Sequence, residues 1–288
     1  MSGKSRARRR RKGAGADTGQ REPDRAQRIV QALAEHDLTA LKQLARTGDG
    51  LLTTQLRRQA WPLLLNFRSL ADAGDRATAH CDEEQVALDV RRTRLPESAE
   101  IRHDVRPRRQ AELTKVVNGV LRSYPWLSYY QGFHELAMTF LCVFGTARPA
   151  TEAAKMAALF FVRDAMGSTL EHVMQQLDLL YVLLEATCPR VRALLASLDV
   201  PPFFAISWVL TWFAHDVASF ADVCRIYDLL IVSPPLQVVY VAAALIRLRE
   251  ADVLACERDF AAVHTGLAAL PSTTADWLPV IDGACALQ

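Results

Sequence analysis

Residues 133 to 144 read Phe-His-Glu-Leu-Ala-Met-Thr-Phe-Leu-Cys-Val-Phe, apolar on nearly every side of a helix, and no other feature limits the fold as much. A helix without a wide polar face cannot lie on a surface and has to be enclosed by other elements. Ala153 to Met166 and Phe203 to Phe213 have the same character, so these segments must share one core. Elsewhere the apolar residues recur at intervals of three and four. Ile29, Val30 and Leu33, then Leu38, Leu41 and Leu44, predict two short amphipathic helices starting at Pro23-Asp24. Gly48-Asp49-Gly50 interrupts the pattern, and Leu51 to Phe67 resumes it with Leu56, Trp61, Leu63, Leu64 and Leu65. Leu113, Val116, Val117, Val120 and Leu121 mark one face of a further helix, which Pro125 ends. Pro189, Pro201-Pro202, Pro234-Pro235 and Pro271 fall at helix starts or stops, and no alternating strand pattern of useful length occurs. Ser69 to Glu83 reads as a polar loop or a weak helix. The predicted class is all-α.

The chain has 288 residues, half of them apolar, which is ample for a large core, while 13 glycines and 13 prolines are too few for a turn-rich β architecture. The net charge of +2 hides an asymmetry. Lys4, Arg6, Arg8, Arg9, Arg10, Arg11 and Lys12 stand in a run without acids, and removing them leaves 27 basic against 32 acidic residues. The body is therefore near −5, which argues against a nucleic-acid-binding domain spread over the fold. The arm from Lys4 to Lys12 reads as a solvated segment, a nuclear signal, an RNA contact or a site of attraction to an anionic membrane.

Cys81, Cys142, Cys188, Cys224, Cys256 and Cys285 are widely spaced, with no Cys-x-x-Cys pair, and the seven histidines form no His-Glu-x-x-His. No metal site is expected, and thiols in apolar helices suit a reducing, cytosol-facing compartment. The basic start lacks the apolar stretch of a secretory signal. Leu229 to Ile246 is the one uncharged run of membrane-spanning length, but Ser233-Pro234-Pro235 cuts it, so a buried core helix is expected and no transmembrane segment within residues 1–288.

Two short segments carry the chemistry. In Val86-x-x-Asp89-x-x-Arg92 the positions step by three, so on a helix they share one broad face and Asp89 can reach Arg92. An ordinary surface ion pair has the same spacing, and Arg91 beside it is ambiguous for the same reason. In Tyr129-Tyr130-Gln131-Gly132, Gln131 projects near the N-terminus of the apolar helix, where backbone N–H groups favour phosphate oxygens, and Gly132 lets other groups come close. A buried amide satisfying the chain turn fits this segment equally. Together, a guanidinium and a carboxamide suit phosphoryl transfer, in which a cation meets the charge developing between β and γ phosphates and an amide aligns the attacking water. Other templates fit worse. There is no nucleophile elbow, no phosphate-binding loop and no dinucleotide fingerprint. Ser207, His215 and Asp216 make a poor triad, since adjacent residues do not face each other on a helix. Asp199, Asp216, Asp222 and Asp228 read as caps or single ion pairs.

From about Gly50 to Pro271 the chain resembles the TBC domain of Rab GTPase-activating proteins. Arg57-x-x-x-Trp61-x-x-Leu64-Leu65, Val86-x-x-Asp89-x-x-Arg92 and Tyr129-x-Gln131-Gly132 stand in the family's order, followed by Ser207-Trp208, Thr211-Trp212-Phe213 and Arg225-Ile226-Tyr227-Asp228. The resemblance implies one multi-helix domain with two helical lobes, placed at residues 25–280 between a basic arm at 1–24 and a tail at 281–288. It implies a catalytic activator that completes a partner's active site in trans, with Arg92 as arginine finger and Gln131 as glutamine finger. Asp89 would hold Arg92 by hydrogen bonds, Tyr129 and Gly132 would shape the segment presenting Gln131, and Arg57 and Trp61 would be mainly structural. The protein would carry no cofactor of its own, because GTP and Mg²⁺ arrive with the partner GTPase. Val86 stands where the family commonly has isoleucine, one methylene less. Leu88 to Arg92, Tyr129 to His134 and Ile206 to Phe213 look most like the endoplasmic-reticulum-associated branch acting on early-secretory Rabs, which implies ER-to-Golgi traffic at the cytosolic face of those membranes. That branch usually carries a C-terminal anchor, absent from residues 1–288, so a soluble fragment or variant, or attachment through a partner, is expected. The expected state is a monomer. A non-catalytic Rab-binding adaptor of the same fold, and a scaffold tethered to nucleic acid by residues 4–12, are the competing expectations.

Overall fold

The computed structural model describes residues 21–67, 78–93 and 105–287, and among them there are helices and turns but no strands. The basic arm and most of the polar stretch before Glu83 lie outside the described residues. Three short helices come first among the described residues: α1 (Arg21–Ala34), α2 (Leu38–Arg46) and α3 (Thr54–Leu64). Asp37 caps α2 by accepting the Ala40 N–H at 2.9 Å, and Thr53 caps α3 by accepting from Leu56. The first helix starts at Arg21, before Pro23-Asp24, because proline is tolerated in a helix's first turn. Next come α4 (Glu83–Arg92), α5 (Val105–Ser123), α6 (Phe133–Phe144) and α7 (Ala147–Phe160). The second half consists of α8 (Glu171–Thr187), α9 (Pro189–Ser197), α10 (Ile206–Thr211), α11 (Phe220–Leu230), α12 (Gln237–Leu248), α13 (Glu250–Leu254), α14 (Phe260–Ala268) and α15 (Leu278–Ala286).

The all-round apolar helix forms over the residues the pattern marks, and α6 is buried along nearly its whole length, with α3, α5, α7 and α10 packed around it. The other two apolar stretches are more broken than expected. Ala153 to Met166 is the end of α7 followed by a 3₁₀ turn, Arg163–Met166, and Phe203 to Phe213 is a 3₁₀ turn, Pro202–Ala205, leading into α10. Trp212 and Phe213 end α10 in the left-handed region, at φ +53° and +65°. In the second half α12 is enclosed by α8 and α15, and α10 touches both α6 and α12, so the two groups of helices share one apolar core. Leu229 to Ile246 is divided between α11 and α12 at the Pro234-Pro235 turn, and among the described residues no helix is long and apolar enough to cross a membrane. The tail boundary expected at residue 281 falls inside α15. Ile281 and Ala284 are buried there, and the Ala284 carbonyl accepts from Gln237 at 3.1 Å, so this segment is part of the fold.

A buried polar node joins the N-terminal helices to α11. Asp228, with no solvent exposure, accepts from Arg57 Nη2 at 2.8 Å and Nε at 3.1 Å, from Trp61 Nε1 at 2.8 Å and from the Leu51 N–H at 2.9 Å. The expectation of a cap or a single ion pair at Asp228 is therefore too modest: both carboxylate oxygens are used, and the neighbouring Arg225 ties the Ala45, Arg46 and Gly48 carbonyls to the same helix. Burial alone would depress the Arg57 guanidinium, but the Asp228 charge and its hydrogen bonds outweigh it and hold the Arg57 pKa above its ordinary value. Gly50 is required here. Its φ is +61°, and a Cβ would lie 2.5 Å from Asp228 Oδ2.

Candidate functional site

Helix α4 is braced at both ends. At its start Glu83 accepts two hydrogen bonds from Arg122 of α5, at 2.6 and 2.8 Å, which hold its carboxyl below the ordinary carboxylate range. At its end the Thr93 hydroxyl donates to the Asp89 carbonyl at 3.0 Å, and Gln110 Nε2 donates to the Val90 and Arg91 carbonyls at 3.2 and 3.1 Å. These bonds satisfy carbonyls that a helix terminus leaves orphaned. The backbone of Arg92 is therefore fixed, while its side chain is exposed and makes no hydrogen bond or ion pair among the described residues. Arg91, also exposed, is occupied with its own helix, donating to the Ala87 carbonyl at 3.1 Å.

The expected bond from Asp89 to Arg92 is not formed. Val86 and Asp89 are buried and Arg92 is not, because two steps of three residues drift around the helix and carry the last position out to solvent. The Asp89 carboxylate instead accepts from Gln85 Nε2 at 2.9 Å and from the Tyr129 hydroxyl at 3.0 Å. Asp89 thus ties α4 to the glutamine segment.

That segment is pinned on every side. The Ser128 N–H donates to the Met166 carbonyl at 2.8 Å, the Tyr129 N–H to Asp82 Oδ2 at 2.8 Å, and the buried Tyr130 hydroxyl to the Leu210 carbonyl at 2.7 Å. Gly132 forms the N-terminal boundary of α6 with φ +122°, which disfavours any side chain, and a Cβ would stand 3.1 Å from the Thr211 methyl. The neighbours that require a glycine are side chains of Thr211 and Tyr130 together with the backbone angle. Gln131, immediately before this boundary, is exposed.

Arg92 and Gln131 line one open cleft of about 390 Å³, with Asp89, Thr93, Gly132 and His134 behind them and Ile206, Ser207, Leu210, Thr211 and His215 forming the opposite wall. Arg57 and Trp61 stand apart, in the buried node. On the far wall Ser207 donates to Asp216 Oδ1 at 3.1 Å, while His215 Nδ1 lies 2.7 Å from Glu135 Oε2. Ser207, His215 and Asp216 are therefore split between two pairings and form no triad. Burial raises the Asp216 carboxyl above the ordinary range.

All six cysteines are free thiols, and burial pushes Cys224 up to about 12 and Cys142 and Cys188 up to about 11, so these three are poor nucleophiles. Among the described residues His80, Cys81 and Asp82 bring potential metal-binding atoms together. Their acceptors are committed to structure: His80 Nδ1 accepts the Asp82 N–H at 3.2 Å and Asp82 Oδ2 accepts the Tyr129 N–H.

Sequence reasoning missed His134 and Gln85. The spacing of Gln85 and Asp89, four residues apart on a helix, was a usable signal. Nothing local announces that His134 faces Tyr129, a contact of 2.6 Å between Nδ1 and the hydroxyl that only the turn at Gly132 creates.

The fold is shared with solved structures. The TBC domain of a Chlamydomonas flagellar RabGAP superimposes with a TM-score of 0.71 at 17% identity, covering 91% of this chain and 90% of that one. TBC1 domain family member 20 of Mus musculus is 35% identical over 267 residues, 90% of this chain and 66% of the relative. GTPase-activating protein gyp10 of Schizosaccharomyces pombe is 33% identical over 225 residues, 76% of this chain and 59% of the relative. The chain thus spans 66% and 59% of the length of these two curated relatives. Residues 54–254, which include α4, the glutamine segment and the Arg57, Trp61 and Asp228 side chains of the buried node, match the Rab-GTPase-TBC domain, and the chain belongs to that family.

Proposed function

We propose that this protein accelerates GTP hydrolysis by a Rab GTPase, inserting Arg92 as arginine finger and Gln131 as glutamine finger into the partner's nucleotide site. The observation that carries this reading is their shared state: two exposed polar side chains in one cleft, each on a backbone held by its neighbours. Such groups meet a transition state with little reorganisation, which is how preorganised charge lowers a barrier. GTP and its Mg²⁺ come with the GTPase. The guanidinium stabilises charge on the transferring phosphoryl group, and the Gln131 amide orients the attacking water. Gly132 and the start of α6 keep that amide at the cleft surface, with Tyr129 and Asp89 beneath it. A relative named as a GTPase-activating protein supports the activity.

The same reading takes the partner to be an early-secretory Rab at the cytosolic face of ER or Golgi membranes. It rests on Leu88 to Arg92, Tyr129 to His134 and Ile206 to Phe213, which resemble the endoplasmic-reticulum-associated branch. The test is single-turnover GTP hydrolysis across a panel of purified Rabs, early-secretory ones included, with wild-type protein, Arg92→Ala and Gln131→Ala. Strong stimulation of one Rab that both substitutions remove is the expected result. Binding to a GTP-loaded Rab without stimulation would make the protein an adaptor of the same fold.

A further inference from the structure

Behind the two fingers lies a hydrogen-bonded chain whose direction is fixed by elementary valence. The Tyr129 hydroxyl has one hydrogen and two polar neighbours, Asp89 Oδ2 at 3.0 Å and His134 Nδ1 at 2.6 Å. A carboxylate only accepts, so the hydroxyl hydrogen has to point at Asp89, or two acceptor oxygens would face each other inside the protein. The phenol keeps that hydrogen, since burial and the adjacent Asp89 charge raise its pKa far above the ordinary range. The tyrosine oxygen must then accept from His134, which places the imidazole hydrogen on Nδ1. Burial also lowers the His134 pKa, favouring the neutral ring. The other ring nitrogen makes no competing claim: Nε2 is 3.8 Å from Glu135 Oε1, beyond hydrogen-bond reach.

We propose that His134 is a positioning residue: its Nδ1–H donates to Tyr129, which donates to Asp89, and this directed chain locks the segment presenting Gln131 to the helix presenting Arg92. The inference rests on the reading of Arg92 and Gln131 as fingers. Asp89 lies one helical turn before Arg92, and Tyr129 and His134 bracket Gln131, so the chain sets the spacing of the two fingers from behind. Misplacing a reacting group by roughly 1 Å costs about 100-fold in rate, and among the described residues no other hydrogen bond between side chains joins α4 to the glutamine turn.

Two substitutions separate positioning from mere packing. His134→Asn puts an amide N–H near the place of Nδ1–H, whereas His134→Gln puts its amide near the place of Nε2. In single-turnover assays with a GTP-loaded Rab, the Asn protein should keep its saturating rate within about 3-fold, and the Gln protein should lose about 10- to 100-fold with its half-saturation nearly unchanged. Tyr129→Phe keeps the ring and removes the hydroxyl, so it serves if the Gln protein folds poorly. It should show a similar loss, and adding it to His134→Gln should cost little more, because both break one chain. In the free protein, ¹⁵N spectra of His134 should show the Nδ1–H tautomer. An Nε2–H tautomer, equal losses for Asn and Gln, or an effect confined to half-saturation would overturn the proposal. Failure of the parent reading looks different: the wild-type protein would stimulate no Rab while the His134 tautomer stayed as assigned.

Discussion

Arg57 and Arg92 carry the same charge into opposite surroundings. Arg57 is buried, two of its nitrogens donate to Asp228, and Nη1 donates to the Leu52 carbonyl at 3.2 Å. Moving that guanidinium would strand a carboxylate that has no solvent contact, so Arg57 cannot serve a partner. Arg92 stands in the open cleft with its backbone braced and its head group unengaged among the described residues. The glutamines repeat the contrast: Gln237 is buried and donates to the Ala284 carbonyl, and Gln131 is exposed. Arg57 thus spends its hydrogen bonds within the chain, whereas Arg92, the side chain proposed to act on a partner, leaves its own to be made.

Substitutions can break that contrast or sharpen it. Arg92→Ala should reduce stimulation of a responsive Rab by about 10³-fold or more, and leave the thermal midpoint within about 2 °C of wild type. Calorimetry beside the hydrolysis assay checks both, and a large drop in midpoint would break the contrast from the cleft side. Asp228→Ala should do the reverse. Leaving Arg57 buried without its partner costs about 3 to 5 kcal/mol, measurable by urea unfolding, while the folded fraction should still stimulate GTP hydrolysis within a few-fold of wild type. Gly50→Ala sharpens the node, since the backbone angle and the contact with Asp228 together predict a loss of about 1 to 3 kcal/mol. The smallest effect concerns pH. Burial lowers the folded-state pKa of His134 below its unfolded value, so near pH 6 the unfolded chain binds the extra proton and stability falls as pH drops through about 6.5. Between about pH 7.5 and 5.5 the wild-type midpoint should therefore fall more steeply than that of His134→Asn.

The fold was legible where side-chain periodicity alone decides. The bounds of α6 follow from Phe133 to Phe144, since a helix apolar all round has one place to go. The ends of Phe203 to Phe213 were harder, because Trp212 and Phe213 adopt left-handed angles that their residue types disfavour, while Trp212 packs edge-on against Tyr227 of α11 and Phe213 against Trp277. In the site, the residue types at 92 and 131 are readable, as is the need for glycine at 132. The partner of Asp89 was not. Spacing places it near Arg92, but Tyr129, forty residues along the chain, brings a hydroxyl to a carboxylate that is otherwise short of donors. Asp228 is the same lesson on a larger scale, as its donors come from residues more than 160 positions away.

The most direct test of the central claim is the affinity of the protein for one responsive Rab in two states, GTP-bound and bound to GDP with aluminium fluoride, which mimics the transferring phosphoryl group. Arg92 and Gln131 should matter only where transition-state charge is present. Arg92→Ala and Gln131→Ala are expected to weaken the aluminium fluoride complex by about 100-fold or more and the GTP complex by less than about 3-fold. Equal weakening of both complexes, or of neither, would contradict the account and leave the cleft as a docking surface alone.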